Sequence, residues 1–380
     1  MSRMILSGAR VMTPGTDGEA VSVVIRDGLI ESLVAEPGKE GERIDLGGGW
    51  LLPGFIDTQV NGGGGVLLND QPDVDGIAAI AQAHRRFGST GLLPTFISDD
   101  LDRVAAVMDA MDAAIAQGVP GLLGLHIEGP FINVERRGIH KARFMRMLDE
   151  DAIALLTRPG KGVRLVTLAP ECAPPGAIQA LRAAGVIVAA GHSMADYATT
   201  RRALDDGLNG FTHLFNAMTP FGSREPGMVG AALEDRASHF GLIVDGHHVH
   251  FASLRVALAA RGLDGAMLVT DAMPPAGTDM AQFDLQGRTI YVQDGALRSD
   301  DGTLAGSDLT MDLALRNSMT MLGLSLAEAS ALASGNPAAF LGLGGVTGAI
   351  RPGLAADLVH LDDAFNVQSV WVKGQRFEYR

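Results

Sequence analysis

The chain has 380 residues, 47% hydrophobic, 19% charged and 5% aromatic, enough for one large domain with a small companion and unlike a disordered or fibrous chain. Its net charge of −14 repels a polyanion over most of the surface and excludes nucleic acid as a partner, although a few local cations can still hold a small anion. The single cysteine, Cys172, excludes a disulfide framework and a Cys-rich zinc site.

The first elements read as short strands at 4–6, 9–12, 21–25 and 29–34, with Arg26-Asp27-Gly28 as a hairpin turn. No apolar signal core interrupts them, and nowhere do about 18 apolar residues run unbroken, so the expectation is a cytoplasmic chain with no membrane span. Eight apolar runs follow, at 51–60, 91–97, 121–127, 163–168, 186–190, 210–212, 240–244 and 266–270. Helix-length segments at 77–87, 104–116, 177–184, 195–204 and 254–260 separate most of them. Continuous apolar strands alternating with helices predict a parallel sheet covered on both faces. Eight of them predict a (β/α)8 TIM-like barrel over residues 51–348, with a doubly wound sheet as the alternative. The chain ends as it began, in strands at 357–361, 367–372 and 375–379. Isolated hairpins are marginal, so both termini, residues 1–50 and 349–380, are expected to pair into one small β-sandwich domain. Glycine is abundant, 49 of 380 residues, about twice the usual ~7%, and with no repeat to explain it the glycines are assigned to tight turns.

A barrel of this kind carries its chemistry at the C-terminal strand ends. Just past the apolar runs stand Asp57, Gln59 and Asn61, then His126 and Glu128, Glu171, His192, His213, Asp245 with His247 and His248, and Asp271. Eight of the ten histidines lie between His126 and His250. Imidazoles and carboxylates delivered by several independent strand ends suit a divalent metal and a metal-dependent hydrolase. A metal-bridging carbamylated lysine is disfavoured, because none of the four lysines (Lys39, Lys141, Lys161, Lys373) ends one of these runs. Glu128 is the better carboxylate candidate.

Certain blocks carry a resemblance to known proteins. Pro53-Gly54-Phe55-Ile56-Asp57, with Gly348-Ala349-Ile350-Arg351-Pro352-Gly353 and Ala356-Asp357 near the end, resembles the amidohydrolase superfamily. His126-Ile127-Glu128-Gly129-Pro130, Gly191-His192-Ser193, His213-Leu214-Phe215-Asn216-Ala217-Met218, Arg224-Glu225-Pro226-Gly227, Asp245-Gly246-His247-His248 and Leu304-Ala305-Gly306 narrow it to the N-acetylglucosamine-6-phosphate deacetylase family. The resemblance implies one divalent metal per subunit, zinc foremost with iron, cobalt or manganese as alternatives, held by Glu128, His192 and His213. It implies Asp271 as the acid/base and His140 as a group on the scissile amide. Ile139, Asn216, Ala217, His248, Leu304, Ala305 and Gly306 would surround a phosphorylated amino sugar, with Arg224 supplied by the second copy of a homodimer.

Where two-metal members carry His-x-His, this chain has Gln59 and Asn61, a vestigial second-metal position, since neutral amides replace two imidazoles poorly. Gly62 to Gly65 lack the Lys and Ser/Thr of a phosphate loop and read as a tight turn near the pocket. Asp57 reads as structural, His126 as supporting the ligands from behind, and His247 and His250 as solvated; Glu171 is open between turn and site. Cys172 has no basic neighbours and reads as inert. Competing functions are another amidohydrolase acting on an N-acyl amino acid or cyclic amide, and a non-catalytic sugar-phosphate sensor. The first would have no use for Arg224 and His248, the second none for Asp271 beside a metal.

Overall fold

The computed structural model describes residues 3–16, 18–38 and 40–379; Met1, Ser2, Asp17, Lys39 and Arg380, in the expected terminal β domain, lie outside them. Eight parallel strands form the central sheet: β1 (Phe55–Val60), β2 (Ser89–Ile97), β3 (Gly124–Glu128), β4 (Val163–Leu168), β5 (Ile187–Ala190), β6 (Gly210–Phe211), β7 (His239–Leu242) and β8 (Ala266–Leu268). They neighbour one another in chain order. Eight helices follow in step: α1 (Val74–Arg85), α2 (Leu101–Ala116), α3 (Glu150–Leu156), α4 (Ala177–Ala183), α5 (Tyr197–Asp205), α6 (Gly227–Glu234), α7 (Phe251–Arg261) and α8 (Met311–Leu322). The fold is a (β/α)8 barrel.

The ring closes between β1 and the chain just beyond β8. Val60 bridges Ala272, and the Asp271 backbone N–H donates to the Gln59 carbonyl at 2.9 Å. Asp57 bolts this seam from inside, accepting from Thr270 Oγ1 at 2.6 Å and from the backbone N–H of Gln59 at 3.2 Å. It is structural, as its position in the sequence suggested. At the opposite end of the barrel Phe340 packs with Ile56, Leu93, Leu165, Ile187 and Met267 and plugs the floor.

The helices cover the barrel through periodic apolar faces. In α1, Ile77, Ile80, Ala81 and His84 are buried at helical spacing, and the Asp73 carboxylate caps the first turn by accepting from Gly76 N–H at 2.8 Å. Two further sheets hold the termini. One orders Leu29–Val34, Ser22–Arg26, Arg3–Ser7 and Glu42–Asp45; the other orders Arg10–Val11, Trp50–Pro53, Leu358–Leu361, Val367–Val372 and Gln375–Glu378. Leu6, Val23, Ile25, Leu51, Leu358 and Trp371 pack between them. The apolar run 51–60 is thus divided: Trp50–Pro53 belongs to a terminal sheet and Phe55–Val60 to the barrel.

One feature had no counterpart in the sequence reading. Between β8 and α8 the chain makes a three-stranded antiparallel sheet, Gln282–Leu285, Arg288–Gln293 and Ala296–Ser299, standing at the C-terminal end of the barrel strands. Phe283, Leu285, Ile290 and Leu297 form its apolar side and pack on Leu67, Ile97, Ile139 and Met273. Gly62 and Gly63 pair with Val66 and Leu67 in a small hairpin turned by Gly64 and Gly65. No helix of the described residues is long and apolar enough to cross a membrane.

Candidate active site

The strand ends enclose a cavity of about 180 Å³, lined among others by Asn61, Glu128, Ile139, His140, His192, His213, Asn216, Ala217, His248, Asp271, Leu304 and Gly306. Glu128 ends β3 and points inward together with His126, two residues before it on the same strand. His192 and His213 follow β5 and β6, and Asp271 follows β8. His192, His213, Phe215, Ala217 and Asp271 all hold left-handed backbone, with φ between 36° and 81°. Side chains rarely adopt that conformation, and its concentration on these loops marks a site whose geometry is imposed by its surroundings.

Three donor atoms converge. Glu128 Oε1 lies 3.1 Å from His192 Nε2 and 3.1 Å from His213 Nε2, and the two nitrogens are 3.0 Å apart. Atoms so spaced can share one centre at the ~2.0–2.2 Å bond length of a divalent ion with N and O ligands. All three side chains are buried, and two imidazoles and a carboxylate so placed can hold a cation among them. His192 Nδ1 donates to the Arg136 carbonyl at 2.8 Å, which leaves Nε2 with a lone pair for a metal. His140 is also close, its ring centroid 4.7 Å from that of His192, and with Glu128 and His192 it makes a looser group within 4.8 Å. The triangle with His213 is the tighter one. These residues suit a divalent metal.

Burial alone would raise the Glu128 pKa, but hydrogen bonds and charge from His192 and His213 reverse it and hold the carboxylate well below its usual range. Burial would likewise lower His213, and Glu128 reverses that too, leaving it raised. Asp271 is raised, first by burial and then by the Glu128 charge. Its Oδ1 accepts from Asn61 Nδ2 at 2.6 Å and from Gln59 Nε2 at 3.1 Å. Gln59 Nε2 also lies 3.3 Å from each Glu128 oxygen, so one amide joins the two carboxylates. His140 is pushed down to about 3, mostly by burial.

An amidohydrolase-family profile matches residues 50–377. The chain belongs to the amidohydrolase family. Over 376 residues it is 42% identical to N-acetylgalactosamine-6-phosphate deacetylase of Shewanella sp. (strain ANA-3), covering 98% of this chain and 95% of that one. It is 32% identical to N-acetylglucosamine-6-phosphate deacetylase of Haemophilus influenzae, over 93% of this chain and 94% of the relative. The crystal structure of N-acetylglucosamine-6-phosphate deacetylase from Pasteurella multocida superposes with a TM-score of 0.95 at 31% identity, covering 99% of this chain and 100% of that one. A Mycobacterium smegmatis N-acetyl-D-glucosamine-6-phosphate deacetylase mutant, solved with N-acetyl-D-glucosamine 6-phosphate, gives 0.89 at 33% identity, covering 99% of each chain.

Against this amidohydrolase frame most of the expected residues gather at one cavity. Gln59, Ala305 and Arg224 stand apart, Gln59 being buried and reaching Asp271 and Glu128 through its amide. Ala305 is buried behind the cavity wall with Met273 and Leu297, and Arg224 is exposed on the loop before α6, outside this chain's own cavity. His248 lines the cavity and donates Nδ1–H to Asp245 at 2.6 Å. Glu171 proves to be a brace, accepting from Ser193 Oγ and Met194 N–H, both at 2.6 Å, and from Asn133 Nδ2 at 2.9 Å, on either side of His192. His126 sits below the ligands, bonded to Thr95 at 3.1 Å and Thr167 at 2.7 Å, and burial lowers it to about 4. His250 is exposed and caps α7, and His247 is exposed. The Cys172 thiol is pushed up to about 11 by burial, in keeping with an inert cysteine. Ile97 and Met273 line the cavity without having been singled out in the sequence, and Gly138 lines it beside Ile139 and His140, as its place in the strand-end loops suggested. Ile97 carried a weak signal as the last residue of an apolar run, whereas the rule that found Glu128 looked just past the runs.

Proposed function

We propose that this amidohydrolase converts N-acetyl-D-glucosamine 6-phosphate and water to D-glucosamine 6-phosphate and acetate. The observation that carries the reading is the Glu128, His192 and His213 triangle, with Asp271 tied to Glu128 through Gln59 in the same cavity. Relatives named as amino-sugar 6-phosphate deacetylases over nearly the whole chain support it.

On this reading Glu128, His192 and His213 would hold one zinc ion, which when bound would supply Lewis-acid chemistry and lower the pKa of a water from 15.7 toward about 7. Asp271 takes a proton from the attacking water as its oxygen adds to the amide carbonyl carbon. It returns that proton to the nitrogen as the C–N bond breaks, and Gln59 and Asn61 hold its carboxylate in place for both transfers. His140 donates to the carbonyl oxygen as negative charge develops there. Ile139, Asn216, Ala217, His248, Leu304 and Gly306 enclose the sugar phosphate, with Ala305 backing the wall. Arg224 reaches the phosphate in the second copy of a homodimer, where its planar fork suits phosphate oxygens. The amides of Gln59 and Asn61 leave the second-metal position vestigial. The catalytic unit is the barrel, residues 55–348, the β domain is 1–53 with 349–380, and the enzyme works in the cytoplasm.

A second reading keeps the reaction and changes the sugar to N-acetyl-D-galactosamine 6-phosphate, because the 42%-identical relative carries that name. An acetate-release assay on metal-analysed protein decides between them. We expect turnover of the glucosamine derivative, far slower turnover without the 6-phosphate, and about one zinc per chain. Preference for the galactosamine epimer would select the second reading, and no acetate from either would overturn both.

A further inference from the structure

Four imidazoles line this cavity; His248 is engaged with Asp245, and of the other three the chemistry proposed above needs lone pairs from two and a proton from the third. Which nitrogen carries hydrogen is set by the partner of the other one. For His192 that partner is the Arg136 carbonyl, which can only accept, so Nδ1 keeps its hydrogen and Nε2 is free to bind metal. For His140 it is the Ser98 hydroxyl, 2.7 Å from Nδ1. Ser98 has one hydrogen to give and two acceptors in reach: His140 Nδ1, and the Glu128 carbonyl at a long 3.4 Å. The shorter contact is the stronger bond.

We propose that Ser98 is a positioning residue: its hydroxyl donates to His140 Nδ1, fixing the Nε2–H tautomer and aiming that N–H into the cavity as the donor to the substrate's carbonyl oxygen. His140 is thereby withdrawn from the metal set despite lying beside it, because a protonated nitrogen has no lone pair to offer. The hydroxyl is itself held. Ser98 is buried at the end of β2, and its carbonyl accepts from Gln286 Nε2 at 3.1 Å, anchoring it to the three-stranded insertion. The neighbouring Gly129, at φ +76°, leaves the hydroxyl its place: a β-carbon there would stand 2.2 Å from Ser98 Oγ.

The tautomer can be read without turnover, so this inference and the deacetylase reading, on which its kinetic arm rests, can fail separately. In zinc-loaded protein with ¹⁵N-labelled histidine, His140, identified by the resonance missing from His140→Gln, should show hydrogen on Nε2 and a bare Nδ1. Hydrogen on Nδ1 would overturn the proposal whatever the enzyme hydrolyses. In Ser98→Ala the preference should be lost, and kcat should fall roughly 5- to 10-fold, the worth of one hydrogen bond, with KM and zinc content unchanged. Ser98→Thr, which keeps the hydroxyl, should restore both the tautomer and kcat. Unaltered kcat and an unaltered His140 spectrum in a folded Ser98→Ala protein would sink the assignment.

Discussion

Left-handed backbone at a residue bearing a β-carbon costs roughly 1–2 kcal/mol, and His192, His213 and Asp271 each hold it. The return is direction: each side chain leaves its strand end aimed at the common cavity. Asp271 is the residue on which the proposed proton transfers turn, and replacing it tests them with little structural disturbance. Asp271→Asn keeps shape and accepts in place of the carboxylate, but cannot take up a proton. We expect kcat to fall by about 10²–10⁴-fold, the usual worth of general acid–base catalysis, with zinc content retained. Rates and metal analysis on the same preparation check it, and near-normal turnover would remove Asp271 from the mechanism. The residue types at strand ends made Glu128, His192, His213 and Asp271 legible in sequence, because a carboxylate or imidazole just past an apolar run has few bland explanations. Ser98 and Met273 were not legible: a serine or methionine in that position is ordinary, and only the distances show what they face.

The eight apolar runs were read from sequence because barrel strands are buried on both faces and lose their polar alternation. The three-stranded insertion hid for the opposite reason. Its strands bury only one side, as in the exposed-buried alternation of Gln282–Leu285, so no continuous run announces them, although Gln286-Gly287 and Asp294-Gly295 are turn pairs. Closure of the ring depends on a buried acid that also sets a pH response. Burial pushes Asp57 up to about 7 against hydrogen bonds from Thr270 and Gln59. Its folded pKa lies above the unfolded value of about 3.9, so the folded state binds the proton more tightly. The stability this gives is complete below about pH 4 and is lost as pH rises through about 7. The wild-type Tm should therefore fall by several degrees more between pH 5 and 8 than that of Asp57→Asn, which has no charge to bury. Parallel Tm profiles would show that the seam carries no such titration. The floor makes a separate prediction: Phe340→Ala, which empties the plug among Ile56, Leu165 and Met267, should cost about 3–5 kcal/mol in urea unfolding and leave KM alone.

At the scale of the whole molecule, a chain of net charge −14 is proposed to capture an anion. The loop from β3 to α3 answers part of that conflict. Arg136, Arg137, Lys141, Arg143 and Arg146 lie on it against two acids, Glu135 and Asp149, and Gly138, Ile139 and His140 from the same loop line the cavity. Arg146 is spent on Asp149, but the loop stays basic on balance, and local charge of that sign outweighs acids a Debye length away. Arg224 would supply the remainder from a second copy, and that can be tested by mixing two defective chains. Arg224→Ala alone should raise KM for the phosphorylated sugar far more than for unphosphorylated N-acetylglucosamine; Asp271→Asn alone should be inactive. In a mixed dimer the site built on the Arg224→Ala chain keeps its own Asp271 and borrows Arg224 from the Asp271→Asn partner. Co-refolding the two in equal amounts makes half the dimers mixed, with one intact site in each, so about a quarter of wild-type activity should return at low substrate. If Arg224 served its own chain's site, each site in the mixed dimer would lack one residue or the other and no activity would return.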